Sequence, residues 1–465
     1  MTDLTCDVAI IGAGTAGLAA ERSARKNGAT TLLIDPEFIG TTCATVGCMP
    51  SKLLIAAAHR AHDARGTDTF GVHTGEVTVN GPEVMTRLRR LRDDFAGATR
   101  DSIMDLPDEI RIQSRAHFTG PTTLELEDGR SVSAKAVIIA TGSSPMVPPP
   151  YRDLGDRLLT NDTLFELPDL PRRLAVIGGG IIGMELAQAM ARLGVKVTLF
   201  DQSDSLGGTR DEDIHDALYD ALSHEMTLRL GTDPQPTALE VGLRIDWEGG
   251  SEEFDKVLVA TGRPPNIKGL GLDATGLDLD DKGMPQVCPA TLQCGDLPIF
   301  MVGDADADRP LLHEASDEGA IAGRNAVSFP APVPGTRKVP LAVTFTDPPL
   351  VTVGQPADEG AVTGTADYTD QGRAKVEDRA TGLARLHADR EGRLIGADLF
   401  CPGADHMAHL LALAITQGMT AGDMLDLPIY HPTLEEGLKT ALREICGAIP
   451  LQHPGDRDCG SPSGA

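Results

Sequence analysis

The chain has 465 residues, 41% of them hydrophobic, which suits two to four globular domains of about 100–200 residues and excludes a disordered polymer. Asp and Glu number 68 against 41 Lys and Arg, a formal charge of −27 that repels phosphate backbones and anionic membranes and argues against nucleic-acid binding. Eight scattered cysteines are too few for a disulfide scaffold, so any close pair reads as catalytic or metal-binding.

The first residues, Met1 to Asp7, carry acids where a secretory signal carries Lys or Arg, which predicts a cytoplasmic protein. An apolar strand, Val8 to Ile11, then runs into Gly12-Ala13-Gly14-Thr15-Ala16-Gly17, a helix-compatible stretch, and a second strand, Thr31 to Ile34, ending at Asp35. The physical requirements of a dinucleotide turn are met. The first glycine permits a tight turn, the second lets backbone amides approach a pyrophosphate, the third lets helix pack on strand, and the helix amino terminus attracts the anion.

Beyond this unit stands Gly40-Thr41-Thr42-Cys43-Ala44-Thr45-Val46-Gly47-Cys48-Met49-Pro50-Ser51-Lys52, with two cysteines five positions apart. In a distorted helix opened by Gly47 and flanked by Pro50, their sulfurs can approach closely enough to bridge. Such a bridge beside a dinucleotide site suits thiolate attack on a disulfide, with the electrons passed on through the cofactor. A zinc site would need a second pair or histidines at ligand spacing, and none is adjacent in the sequence.

A buried strand, Val137 to Ala140, runs into Thr141-Gly142, and Pro145 to Pro150 reads as a stiff linker. The glycine pattern then repeats 166 residues after its first copy: Leu174 to Ile177, Gly178-Gly179-Gly180-Ile181-Ile182-Gly183, a helical Met184 to Leu193, and Val195 to Phe200 ending at Asp201. In both copies the acid lies 21 residues past the middle glycine, the spacing of a ribose-binding carboxylate. The apolar stretch from Leu174 to Ala191 contains glycines and Glu185, and no transmembrane helix is required to explain it. Val257 to Ala260 running into Thr261-Gly262 closes this second unit.

Asp201 predicts NAD, because an acid binds a free ribose 2′-hydroxyl and repels a 2′-phosphate, and Gln202 to Ser205 supply no cation; Arg210, nine residues on, leaves NADP as the alternative. Ile299 to Val302 makes one more buried strand, ending at Gly303-Asp304, and the proline-rich Phe329 to Pro340 precedes a last region with no glycine fingerprint. In that region His431 is the best base candidate, since dithiol oxidation needs a group that takes a proton near neutral pH. Glu436 lies five residues on, at the start of a helix expected over Leu434 to Cys446, where a carboxylate can orient the imidazole. The i, i+3 pairs His59/His62 and His406/His409 lack a third ligand and read as surface or interface positions. His453 to Ala465 reads as a disordered tail.

With its paired fingerprints, C-x4-C box followed by Pro-Ser-Lys, two Thr-Gly edges, Gly303-Asp304 and His431-Pro432-Thr433, the sequence resembles the flavoprotein disulfide reductases, from Asp3 to Pro450. It is similar above all to their dihydrolipoamide dehydrogenase branch. The resemblance implies an α/β fold: an FAD domain begun by 1–148 and completed by 268–336, an NAD domain over 149–267, and an α+β dimerisation domain over 337–452. It also implies a homodimer whose partner is a lipoyl-carrying protein or a small dithiol or disulfide.

By the same resemblance Cys43 is the interchange thiol, Cys48 the thiol facing the flavin, and Lys52 a neighbour of the flavin N5 paired with Glu185. Gly12, Gly14, Gly17, Asp35, Thr42, Lys52, Thr141, Gly142, Gly303 and Asp304 would hold FAD, Asp304 by its ribityl chain. Gly178, Gly180, Gly183, Asp201 and Gly262 would hold NAD, and His431 with Glu436 would serve the disulfide of the other subunit. The box departs from the branch's commonest pattern at Thr41, Ala44, Thr45 and Met49, and Ile429 replaces a frequent second histidine. The alternative substrate is another disulfide, a quinone or a metal ion reduced with NAD(P)H.

Overall fold

Apolar runs such as Val8 to Ile11, in strand Leu4–Ile11, and Leu174 to Ile177, in strand Arg173–Ile177, are buried on both faces, which a parallel sheet flanked by helices provides. The computed structural model describes residues 3–449 and contains two such sheets. In the first, the order is Arg111–Gln113, Thr31–Asp35, Leu4–Ile11, Ser131–Ile139, then Thr123–Leu126 and Ala116–Gly120. The long strand Ser131–Ile139 uses its outer edge twice, pairing antiparallel with Thr123–Leu126 at its start and parallel with Ile299–Met301 at its end.

The second sheet repeats this arrangement with Thr227–Arg229, Lys196–Phe200, Arg173–Ile177, Lys256–Val259 and Leu158–Leu159. The correspondence extends to single hydrogen bonds. Gly12 N–H donates to Ile34 O at 2.8 Å and Gly178 N–H to Phe200 O at 2.8 Å, while Ala140 and Ala260 each close back onto the first strand of their unit at 2.8 Å. A three-stranded meander, Gln235–Ala238 to Gly250–Phe254, packs on one face of the second sheet, where Phe200 meets Trp247 and Phe254 edge to face.

A third, antiparallel sheet of five strands, ordered Leu341–Thr344, Leu350–Gly354, Leu394–Phe400, Leu383–Ala388, Val362–Asp367, carries the helices Ala404–Thr416 and Leu438–Ala448 around its own core. Two helix contacts decide how the other parts meet. Leu312–Ser328 lies on Thr15–Lys26 so closely that a methyl group at Gly319 or Gly323 would fall 2.2 or 2.3 Å from the carbonyl of Ala16 or Ala20. The cysteine-bearing helix Cys48–Arg65 buries Leu54, Ile55 and Ala58 in the same core as Met184, Ala187 and Met190 of helix Ile181–Arg192. The stretch from Leu174 to Ala191 is thus a strand, a turn and most of a helix, and among the described residues no helix is long and apolar enough to cross a membrane. The tail from His453 lies outside the described residues.

Candidate active site

Each glycine loop divides its labour in the same way. At Gly12 and Gly178, φ is +106° and +111°, and a methyl group would lie 2.3 or 2.4 Å from the carbonyl oxygen of Ala140 or Ala260. At Gly17 and Gly183 it would lie 1.9 Å from the carbonyl of the first glycine, so these positions are closed by helix–strand packing. At Gly14 and Gly180, by contrast, it would meet no atom within 4 Å. These two residues cap helices Thr15–Lys26 and Ile181–Arg192 without any side-chain hydrogen bond, so the first amides of both helices face outward, as an anionic pyrophosphate requires.

The acids have a second task that spacing did not reveal. Asp35 Oδ2 accepts from Ala13 N–H at 2.9 Å and its Oδ1 from Glu37 and Phe38, while Asp201 Oδ2 accepts from Gly179 N–H at 2.5 Å and its Oδ1 from Ser203. Each carboxylate therefore braces its own glycine loop, and lone-pair capacity remains for a ribose hydroxyl. Thr141 Oγ1 is buried without a hydrogen-bond partner beside Gly142, and Ser143 Oγ donates to Asp304 Oδ2 at 2.7 Å. Gly303 N–H is held at 2.7 Å by the fully buried Glu318, and Met146 N–H reaches Gly262 O at 2.9 Å. The outward helix amides and the orphaned Thr141 hydroxyl fit a bound dinucleotide in the first unit, and the open Gly180 turn fits one in the second.

The cysteine segment is broken rather than continuous. Thr41 caps a four-residue helix, Thr42–Thr45, and Gly47 begins the long helix Cys48–Arg65, so Cys43 and Cys48 sit on opposite sides of a two-residue step. Thr42, exposed, is the first residue of the short helix. Both cysteines are free thiols in this structure, so the expected bridge is not formed and the two side chains share a hydrogen bond instead. That bond and the nearby Lys52 ammonium outweigh burial and bring the Cys48 thiol down to about 6, whereas Cys43, as the donor, is pushed up.

Lys52 follows Cys48 by one helical turn. Its Nζ lies 2.7 Å from Glu185 Oε2 and 4.4 Å from the centre of the Phe345 ring. Glu185, only 4% exposed, also accepts Phe345 N–H at 2.8 Å, so its charge is paired and hydrogen-bonded. Two further residues of the same helix face were missed by the sequence reading, although their i, i+3, i+7 spacing from Glu185 was a signal. Gln188 exchanges hydrogen bonds with the backbone of Asp347, and the guanidinium of Arg192 is held between Glu225 at 2.7 Å and Asp347 at 2.8 Å. The helix of the second glycine loop is thereby clamped to the third domain.

His431 stands on that third domain, 57% exposed, with Nδ1 2.7 Å from Glu436 Oε2. A carboxylate on Nδ1 fixes the Nδ1–H tautomer and leaves Nε2 as the free acceptor. The supporting turn is tied by Gln371 to Thr433 O at 2.8 Å and by the buried Tyr368 hydroxyl to Leu434 O at 2.9 Å. The expected helix from Leu434 begins only at Leu438, because Glu435–Gly437 winds as a tighter 3-10 turn, and this bend swings Glu436 back toward the imidazole. Within one chain no hydrogen bond joins His431 to the cysteine pair among the described residues, and its neighbour Tyr430 is 81% exposed.

Two dinucleotide turns arranged around a dithiol define a nucleotide-dependent thiol redox enzyme. Residues 6–319 match the family model of the pyridine nucleotide-disulphide oxidoreductases and residues 340–442 match that family's dimerisation domain. The chain is 31% identical over 454 residues to a mercuric reductase of Staphylococcus aureus, covering 94% of this chain and 81% of that one. It is 30% identical over 453 residues to a dihydrolipoyl dehydrogenase of Bacillus subtilis, covering 92% and 94%. The crystal structure of LpdA from Mycobacterium tuberculosis superposes with a TM-score of 0.81 at 25% identity, covering 94% of this chain and 99% of that one. The chain belongs to the pyridine nucleotide-disulphide oxidoreductases, a family that works with FAD and NAD(P)H, and carries the family's dimerisation domain.

Proposed function

We propose that the protein is a dihydrolipoyl dehydrogenase, oxidising a dihydrolipoyl dithiol at Cys43–Cys48, with FAD held in the first unit and NAD in the second. The observation that carries this reading is the His431–Glu436 pair, 2.7 Å apart, which supplies a base with a free Nε2 as dithiol oxidation demands. His431 of one subunit takes the proton of an incoming thiol beside the cysteine pair of the other. The resulting thiolate attacks Cys43 Sγ of the oxidised pair, the Cys43–Cys48 bond breaks, and Cys48 leaves as a thiolate. The Lys52 ammonium, which favours the Cys48 thiolate, makes Cys48 the better leaving group. The second substrate thiol then closes the product disulfide and displaces Cys43, which takes up a proton. FAD supplies a two-electron acceptor for the dithiol, and NAD the final hydride acceptor.

Gly12, Gly14 and Gly17 would shape the FAD pyrophosphate turn, with Asp35, Thr42, Thr141, Gly142, Gly303 and Asp304 completing the site. Gly178, Gly180, Gly183, Asp201 and Gly262 would do the same for NAD. The test is NADH formation from dihydrolipoamide and NAD, run beside NADP and with Cys43→Ser, Cys48→Ser and His431→Gln. Turnover that needs both cysteines and is slowed by His431→Gln far more than NADH oxidation by an artificial acceptor supports the reading. A flavin-loaded dimer that turns over no dihydrolipoamide but reduces another disulfide, a quinone or Hg(II) with NAD(P)H would move the chain toward its reductase relatives.

A further inference from the structure

The segment after Gly262 joins the two dinucleotide units through one side chain. The guanidinium of Arg263 uses three edges. Nη1 donates to Asn161 Oδ1 at 2.9 Å, Nη2 to Ser143 O at 2.9 Å and Nε to Ser143 Oγ at 3.2 Å. At one end, Ser143 Oγ passes the connection to Asp304 Oδ2 at 2.7 Å. At the other, Asn161 Nδ2 donates to Val46 O at 3.1 Å. Val46 lies in the step between the two cysteine-bearing helices, where a carbonyl has no helical partner of its own. Asn161 and Ser143 are each only 7% exposed, and Asp162 flanks the pair, accepting from Asn161 at 2.8 Å and Arg263 at 3.4 Å. A run of directional bonds in a water-poor setting sets distances, and a planar fork with fixed donors does so better than a flexible ammonium.

We propose that Arg263 and Asn161 form a strut between the cysteine step and Asp304, making them positioning residues for electron transfer from the dithiol to the flavin. The inference rests on the reading above in which Cys48 faces a flavin held by Asp304. Removing either end of the strut leaves the glycine loops untouched but frees the Val46–Gly47 step. A thiolate lying against an oxidised flavin absorbs at long wavelength, and that absorbance reports their separation without any turnover.

The test uses the FAD-loaded dimer, reduced by two electrons, as wild type, Arg263→Met, Arg263→Lys, Asn161→Ala and the Arg263→Met/Asn161→Ala double variant. Each of Arg263→Met and Asn161→Ala should lower the long-wavelength absorbance at least about threefold and raise amide exchange at Thr45 to Cys48 by about tenfold, with FAD content and exchange in Leu4–Ile11 unchanged. The double variant should be no worse than the more affected single one, because the two act in series. Arg263→Lys should recover only part of the absorbance. Should Arg263→Met fail to fold, Asn161→Ala at the far end carries the test. Wild-type absorbance and exchange in either folded variant overturn the strut while leaving the proposed function intact. A wild-type dimer with neither the absorbance nor cysteine-dependent turnover overturns the reading of the site and the strut with it.

Discussion

Replacing Lys52 by Met removes the ammonium that stands one helical turn from Cys48 and keeps the side chain's length. Side chains four apart on a helix start about 6 Å from one another, and two unit charges at that distance interact by about 3 kcal/mol at an effective dielectric near 20. Cys48 is exposed and the Lys52 side chain is 32% exposed, so solvent screening removes about half of this. What remains corresponds to about one unit in the thiol's titration. The thiolate is the form that Lys52 favours, so its removal should carry Cys48 upward from about 6. Glu185 acts with the opposite sign: Glu185→Gln keeps an acceptor for Phe345 N–H but deletes a negative charge, and should move Cys48 downward by a smaller amount. The assay is the pH dependence of alkylation of the reduced protein by iodoacetamide, resolved for each cysteine by mass spectrometry. A Lys52→Met midpoint that stays at the wild-type value, or a Glu185→Gln midpoint that rises, would refute the electrostatic argument.

Gly14→Ala should leave the fold and melting temperature intact but purify largely without flavin, whereas Gly17→Ala, whose methyl would lie 1.9 Å from Gly12 O, should fail to give soluble protein; flavin absorbance per chain separates the two, and equal behaviour would contradict the division of labour in the loop. Burial pushes the Asp347 carboxyl up, but Arg379 and Arg192 overcome it and hold it at about 2. Its contribution of about 2 kcal/mol is therefore present above the ordinary carboxylate range and lost as the pH falls through that range toward 2. Asp347→Asn should cost more stability at pH 7 than at pH 3 in urea titrations, and an equal cost at both values would remove the clamp from the account. Asp201→Ala should lower kcat/KM for NADH about tenfold and narrow its preference over NADPH, since the carboxylate braces Gly179 and, in the proposed reading, would meet the nucleotide ribose. An unchanged ratio of the two coenzymes would place the specificity elsewhere.

The two dinucleotide turns were legible in the sequence because everything that specifies them is local. Glycines at fixed spacing, an apolar run before them and an acid after the next strand act within one strand–helix–strand unit, so the repeat appears in the chain as it does in space. The Cys43–Cys48 box and the His431–Glu436 pair were readable for the same reason, each lying within six residues. Boundaries that depend on packing were less so. The helix expected from Leu434 gives way to a 3-10 turn because Tyr368 and Gln371, in the loop after the distant strand Val362–Asp367, hold the carbonyls of Leu434 and Thr433.

What only the tertiary structure decided is which charged groups share a bond across the domains. The Lys52–Glu185 pair was expected from the resemblance and not from any local pattern, since Lys52 lies 133 residues from the buried Glu185, and the Phe345 N–H that Glu185 also accepts, 160 residues away, was not foreseen. Arg192 between Glu225 and Asp347, Ile299–Met301 completing a sheet begun by Leu4–Ile11, and Arg263 between Asn161 and Ser143 have the same character. A buried polar group must find a partner, but its sequence neighbours do not say which one, since that choice is made by the helices and sheets as they close on one another. The chain's local patterning thus determined the two nucleotide folds and the thiol chemistry, and the packing of three domains determined the electrostatic setting in which that chemistry works.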